Sequence, residues 1–92
     1  MQTYLLSIIT PAGKVFEDQV ESLMAPGIEG SFGVLKNHAP MVAILKKGVL
    51  KIRTNGHDRC FAVGQAILEI NRTEGVLLLS DSANETVPST GK

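Results

Sequence analysis

The sequence predicts an all-β fold: a small two-sheet β-sandwich of about ten short antiparallel strands, with a polar C-terminal tail. Apolar segments are short and end at turn residues, and no helical periodicity lasts beyond two turns. Turn signals recur at the spacing that is typical of sandwiches and barrels. The 92 residues suffice for one domain with a modest core. We expect the sandwich to cover residues 1–84 and a flexible tail to cover residues 85–92.

Glycine and proline interrupt the strand signals in the first half of the chain. Pro11 and Gly13 end the first segment, and Pro26 and Gly27 end the third. The strands expected there cover residues 4–9, 14–16, 20–25, 34–35 and 41–45.

A hairpin at residues 49–63, VLKIRTNGHDRCFAV, is the clearest local signal. Apolar and polar residues alternate before the chain turns at Asn55-Gly56. Asn-Gly between alternating segments predicts a tight hairpin, because both turn residues must adopt a positive φ.

The last part of the chain predicts two further strands and then loses its pattern. These strands, at residues 66–70 and 76–80, are joined by a polar turn. Beyond them, Asp81 or Ser82 is expected to cap a short helix.

Charge and aromatic content exclude several classes of partner. Nine basic and nine acidic residues cancel, so no strong field attracts nucleic acid or anionic lipid. Four aromatic residues are too few for a base-stacking platform. No apolar run approaches the roughly 18 residues that span a bilayer, and no signal peptide is recognisable. We therefore expect a soluble intracellular protein that reaches a membrane only through a partner.

The residue types that usually carry catalysis or bind metals are few and dispersed. Cys60 lies in the middle of a predicted strand, where a packing role is expected. His57 and Cys60 should point to opposite faces of that strand, so they could not share a metal ion. His38 lies far away in a loop. No catalytic residue and no metal site are predicted.

The glycine-rich stretch GIEGSFG, residues 27–33, does not match a phosphate-binding loop, and tight turns explain its glycines. Glu69 is the one acid inside an apolar strand, and alternation points it to a polar face or a partner. No pair of carboxylates has the environment of an acid–base pair. We expect a binding module that has no cofactor.

Three segments, in this order, carry a resemblance to a known family: IITPAGKVFEDQVESLMAPGIEGSFGVLKNHAPMVAILKKGVLKI, AILEI and VLLLSDSA. The most specific piece is EG-x-x-G followed by HAP. Together these motifs resemble the N-terminal β-sandwich domain of the epsilon subunit of F-type ATP synthase, from residue 3 to about residue 84.

The resemblance implies a non-catalytic rotor subunit at the foot of the central stalk, where it contacts the gamma subunit and the ring of c subunits. Glu29, Gly30 and Ser31 are expected at the ring edge. The site expected on the gamma side comprises His38, Ala39 and Pro40. Many relatives carry an acid where this chain has Ser31, so that part of the ring contact lacks an ion pair.

The resemblance also implies a location on the cytoplasmic side of an energy-transducing membrane, of the plasma or thylakoid type. The similar part stops before the family's two-helix hairpin, so no nucleotide site and no hairpin-type inhibition are expected. Two alternatives stay open. His38 could instead fix its loop through a backbone hydrogen bond, and the chain could be a free-standing β-sandwich that binds a small ligand.

Overall fold

The computed structural model describes residues 2–71 and 75–87, in which ten β-strands form one hydrogen-bonded sheet that folds over itself into a sandwich. This described part contains no helix that is long and apolar enough to cross a membrane. The strands are β1 (Tyr4–Thr10), β2 (Gly13–Val20), β3 (Ser22–Gly27), β4 (Gly30–Val34), β5 (Met41–Leu45), β6 (Gly48–Thr54), β7 (His57–Val63), β8 (Ala66–Asn71), β9 (Gly75–Ser80) and β10 (Ala83–Thr86).

The sheet consists of two layers that join at a corner. The first layer has the order β10-β7-β6-β3-β4, and the second has the order β5-β8-β9-β1-β2. At the corner Gly27 pairs with Leu45. Two backbone hydrogen bonds flank this pair, from Ile28 N to Ile44 O at 3.0 Å and from Lys46 N to Pro26 O at 2.9 Å. The two layers are therefore hydrogen-bonded to each other as well as packed.

The expectation that the strands are all antiparallel is wrong for one pair. β1 and β9 run parallel, with Leu6 beside Val76 and Ile9 beside Leu79. A parallel pair needs a long connection, and here most of the domain lies between the two strands. The other strand pairs in the described chain are antiparallel, and the predicted all-β sandwich is confirmed.

Alternation along the strands builds the core. The inward residues of β6, for example, are Leu50, Ile52 and Thr54, which are all buried. Phe16 and Phe61 meet edge to face, with ring centroids 5.5 Å apart. The largest fully buried side chains are those of Phe61, Leu6, Ile8, Leu45, Leu50, Ile52, Leu68, Leu78, Val20 and Val34.

Side chains close the seam between β2 and the first layer. Arg59 donates from Nε and Nη2 to the two carboxylate oxygens of Glu85, each at 2.8 Å. The same guanidinium lies 5.0 Å from the centroid of the Phe16 ring on β2. At the other end of the seam, Thr54 Oγ1 donates to Gln19 O at 2.9 Å. Arg59 thus links β7, β10 and β2 through one side chain.

The predicted hairpin is confirmed. Asn55 and Gly56 adopt φ values of 53° and 76°, and Thr54 pairs with His57 across the turn. The Gly56 N–H donates to the Glu21 carboxylate at 3.3 Å, which fixes the turn against the start of β3.

The predicted bounds of β2 and β4, in the first half of the chain, were wrong. β2 continues without a break through its exposed polar residues 17–19, because β1 pairs with it along this stretch as well. β4 begins at Gly30, in the stretch assigned to turns, and ends at Val34, so Leu35 is not part of a strand. Pairing with β3 forms β4 although its sequence is rich in glycine.

The prediction of a helix after Ser80 is wrong, because the chain forms the strand β10 there instead. Residues 83–86 pair with the open edge of β7, and this long-range pairing overrides the local capping signal. The strand includes Glu85 and Thr86, two residues beyond the predicted end of the sandwich. Residues 88–92 of the predicted tail and residues 72–74 of the predicted turn lie outside the described residues.

We expect Gly27→Ala to destabilise the fold. An added Cβ would lie 2.6 Å from Gly30 O and 2.9 Å from the Phe32 ring. Overpacking of this kind costs about 2 kcal/mol, which urea unfolding would measure. Gly33→Ala is the matched control, because its Cβ would meet its nearest neighbours at 3.7 Å. Equal unfolding midpoints for the two variants would contradict the crowded corner.

The Arg59–Glu85 pair makes stability depend on pH. The hydrogen bonds from Arg59 lower the pKa of Glu85 below its ordinary value. The pair therefore stabilises the fold above the ordinary glutamate pKa of about 4.3, and this contribution is lost as the pH falls through the lower pKa of the folded state. Solvent screening limits it to about 1 kcal/mol. The unfolding free energies of wild type and Glu85→Gln should converge at acidic pH, whereas in an Arg59→Met background no such pH-dependent difference should remain.

Candidate partner-binding surface

An exposed apolar patch covers part of the outer side of the second layer. We call it the apolar face. Its five side chains have exposed fractions between 46% and 65%, although each is a large hydrophobic residue. The apolar face comprises Ile28, Val42, Ile44, Ile67 and Leu79.

Strand register makes the apolar face contiguous. Ile44 pairs with Ile67, and Ile67 pairs with Leu79, so three side chains form a row across β5, β8 and β9. Ile28 adjoins this row through its N–H bond to Ile44 O. A shallow groove of about 500 Å³ runs along the row, with Lys46 and Lys47 at its margin. A contiguous apolar row with a polar margin is typical of a protein-binding site.

Glu69 lies in the neighbouring row, between Val42 and Leu77. Its side chain is exposed on the outer side, while Leu68 is fully buried. The expectation that Glu69 points away from the core is therefore confirmed.

The segment predicted to meet the ring covers the end of the turn after β3 and the first two residues of β4. Glu29, Gly30 and Ser31 are all exposed. Gly30 has a φ of 129°, a backbone conformation that other residues rarely adopt. The backbone of this turn is therefore accessible to a partner at close range.

The segment predicted to meet gamma forms the loop between β4 and β5. His38 Nδ1 donates to Ala39 O at 2.8 Å, and His38 N donates to Leu35 O at 3.2 Å. Asn37 takes the left-handed conformation, with φ at 71°. His38 thus fixes its loop through a backbone hydrogen bond, which is one of the two roles expected for it. The Nε2 atom of the same ring remains available to a partner.

The two predicted segments do not form one patch. They lie at opposite ends of β4, and β5 connects them, since Met41 follows Pro40 whereas Leu45 pairs with Gly27. The apolar face lies between them. Sequence reasoning missed this face. The signal was present, because in the runs VAIL, AILEI and VLLL apolar residues occupy outward as well as inward positions of the strands.

Residues with possible chemical roles do not form a reactive cluster. His57 pairs with Thr54 and Cys60 pairs with Lys51, so the two side chains lie on opposite faces of β7 as expected. The Cys60 thiol is only 7% exposed, but it lies on the outer side of the first layer. Among the residues of the described chain, no three His, Cys, Asp or Glu side chains could hold a metal ion.

A concavity of about 650 Å³ lies between β1 and the loop at 35–38. Some of its polar groups already form hydrogen bonds within the protein. The Tyr4 hydroxyl donates to Val34 O at 2.7 Å, and burial raises the pKa of this phenol. Thr3 Oγ1 donates to the Gln19 side chain at 3.0 Å. These contacts leave fewer groups to orient a small ligand.

Comparison with known proteins identifies the family of this chain. The family model described as the β-sandwich domain of the ATP synthase Delta/Epsilon chain matches residues 3–86. The chain belongs to this family.

Curated relatives in the family carry the name ATP synthase epsilon chain. The relative from Syntrophomonas wolfei is 38% identical over 82 residues, which are 88% of this chain and 59% of that protein. The relative from Campylobacter curvus is 41% identical over 80 residues, which are 85% of this chain and 60% of that protein. The chain thus spans about three fifths of the length of these relatives.

Two solved structures have the same fold. One is a mitochondrial ATP synthase of Euglena gracilis, described with OSCP, F1 and c-ring, with a TM-score of 0.84 and 20% identity over 90% of this chain and 53% of the matched chain. The other is the central stalk and c-ring of the Tetrahymena thermophila mitochondrial enzyme, with a TM-score of 0.75 and 15% identity over 90% of this chain and 66% of the matched chain. At these identities the likeness shows the fold.

Proposed function

We propose that this protein is a non-catalytic rotor subunit of F-type ATP synthase, which couples the gamma subunit to the c-ring during proton-driven ATP synthesis. The observation that carries this proposal is the apolar face, which lies between the two segments expected to contact partners. Membership of the Delta/Epsilon family supports it. The protein would be peripheral, on the cytoplasmic side of the membrane, and attached only through its partner subunits.

Gamma docks on the apolar face in this proposal. Ile44 and Ile67 lie at its centre and lose exposed apolar surface when covered, which favours association. His38, Ala39 and Pro40 form one margin of the contact, where the hydrogen bond from His38 to Ala39 O holds the loop before docking. A loop that is already ordered loses little conformational entropy on binding. A stable contact would bury roughly 1,200–2,000 Å² in total.

The c-ring meets the opposite margin in this proposal, at Glu29, Gly30 and Ser31. Glu29 supplies a carboxylate and Gly30 an accessible backbone, whereas the Ser31 hydroxyl can only form hydrogen bonds. Because one continuous hydrogen-bonded sheet lies between the two margins, a force applied at one is transmitted to the other.

The role is mechanical, and the chain's residues carry no step of the chemistry. No cofactor, nucleotide site or nucleic-acid contact is part of the proposal. The alternative of a small-ligand module has no specific contact in its favour, since polar groups of the concavity between β1 and the loop at 35–38 bond to each other and to the backbone.

Ile44→Asp should weaken binding to an F1 complex that has been stripped of its epsilon chain. A buried charge at the centre of the apolar face should raise the Kd at least about tenfold. Val49→Asp is the matched control, because Val49 is 55% exposed on the outer side of the first layer. Calorimetric titration of both variants tests this, and equal losses of affinity would place gamma elsewhere.

Glu29→Lys should weaken attachment to the ring without affecting the contact with gamma. In this proposal Glu29 faces positively charged loops of the ring, so reversal of its charge replaces an attraction by a repulsion. Affinity should fall for the F1 complex with its c-ring and stay unchanged for F1 alone. A loss of affinity for F1 alone would mean that the turn contacts gamma.

A further inference from the structure

β10 differs from the other strands of the sandwich. It has four residues, and three of them are exposed. Among the described strands, β7 is the one that pairs with β10, whereas β7 also pairs with β6 over seven residue pairs. Val87, which follows directly, is 89% exposed. Little apolar burial therefore holds this strand in place.

The beginning of β10 is fixed more firmly than its end. Gly64 N donates to Ser82 O at 3.1 Å, and Asp81 N donates to Gln65 O at 3.2 Å. The Ser80 hydroxyl donates to Ser82 O at 2.6 Å. The Asp81 carboxylate also occupies the space that a Cβ at Gly64 would need. Residues 80–82 thus form an anchored root for the strand.

One side-chain contact holds the distal part of β10. Both carboxylate oxygens of Glu85 accept hydrogen bonds from Arg59 at 2.8 Å. The guanidinium also lies 5.0 Å and 5.7 Å from the ring centroids of Phe16 and Phe61. The Arg59 and Glu85 side chains remain 39% and 45% exposed, so water can compete for the pair.

Arg59 keeps other neighbours if Glu85 leaves. The pKa of Arg59 is raised chiefly by its hydrogen bonds to Glu85, and the charge of Asp18 on β2 raises it further. Both aromatic rings also stay in place, because they belong to β2 and β7. Release of Glu85 therefore leaves no isolated buried charge.

We propose that β10 is a hinged strap: it pivots directly after the anchored Ser82 and detaches from β7 while the rest of the sandwich stays folded, with Arg59–Glu85 as its latch. Opening uncovers the edge of β7 and the seam beside Phe16. The strap does not depend on the proposed rotor function, because it is a property of the isolated chain.

Cys60 reports on the strap, because Thr86 of β10 pairs with it on one side and Lys51 pairs with it on the other. Cys60 as a residue is 7% exposed, yet it does not belong to the core cluster. Since it lies on the outer side of β7, opening of β10 exposes it without unfolding of the core.

The test is the rate at which Ellman's reagent labels Cys60 in the 92-residue chain, at urea concentrations well below the unfolding midpoint. We expect Glu85→Gln and Arg59→Met to raise this rate about fivefold, since the solvent-screened bidentate pair that holds β10 closed is lost. Glu17→Gln is the matched control, because Glu17 pairs with Lys14 on β2, away from the strap. Its rate should equal that of wild type.

The urea dependence separates opening of the strap from global unfolding. Local opening exposes little surface, so the labelling rate should change little with urea concentration. If labelling required global unfolding, the rate would rise with urea as steeply as the unfolding equilibrium does. Hydrogen exchange at the β7 amides that bond β10 provides a second readout, and it should accelerate in the same two variants. The proposal would be overturned if the labelling and exchange rates of Glu85→Gln equalled those of wild type. It would also be overturned if the labelling rate depended on urea as steeply as global unfolding does.

Discussion

The close approach of three strands at Gly27 is the constraint on which the rest of the structure depends. β3 pairs there with β4 and β5 together, and the space of a missing side chain is filled by Gly30 O and the Phe32 ring. Only glycine allows backbones to pass so closely. Because this corner joins the two layers, it also sets where the turn at 28–31 emerges and how β5 is oriented.

The proposed partner surface follows from that corner. Ile44 belongs to β5 and Ile28 to the turn, so the hydrogen bond between their backbones makes one apolar face from two distant segments. The chain has no net charge to attract a partner at long range. Binding must therefore rely on the shape and apolar area of a rigid surface. β10 is the exception to this rigidity, since only a short ladder and an exposed ion pair hold it.

The parts of the fold that follow local rules could be predicted from the sequence. Apolar alternation identified β6, β8 and β9, and Asn55-Gly56 identified the hairpin turn. β4 and β10 could not be identified in this way. Their residues have weak strand propensity, and they become strands because the preceding β3 offers an open edge to β4 and the distant β7 offers one to β10. The parallel neighbours β1 and β9 also depend on the complete topology.

The candidate site was predictable only in part, for the same reason. The segments at 29–31 and 38–40 could be named from motifs, but their separation along β4 and the apolar face between them require the paired strands. Ile67 and Leu79 become neighbours of Ile44 only through register, which local sequence does not specify.

Reconstitution tests the central claim most directly. The 92-residue chain would be added to membranes whose ATP synthase has been stripped of its epsilon chain, and ATP-driven proton pumping would be followed together with binding. A rotor subunit that joins gamma to the c-ring should bind saturably and restore pumping. If the chain does not bind, or binds without restoring any pumping, the proposed coupling role is wrong.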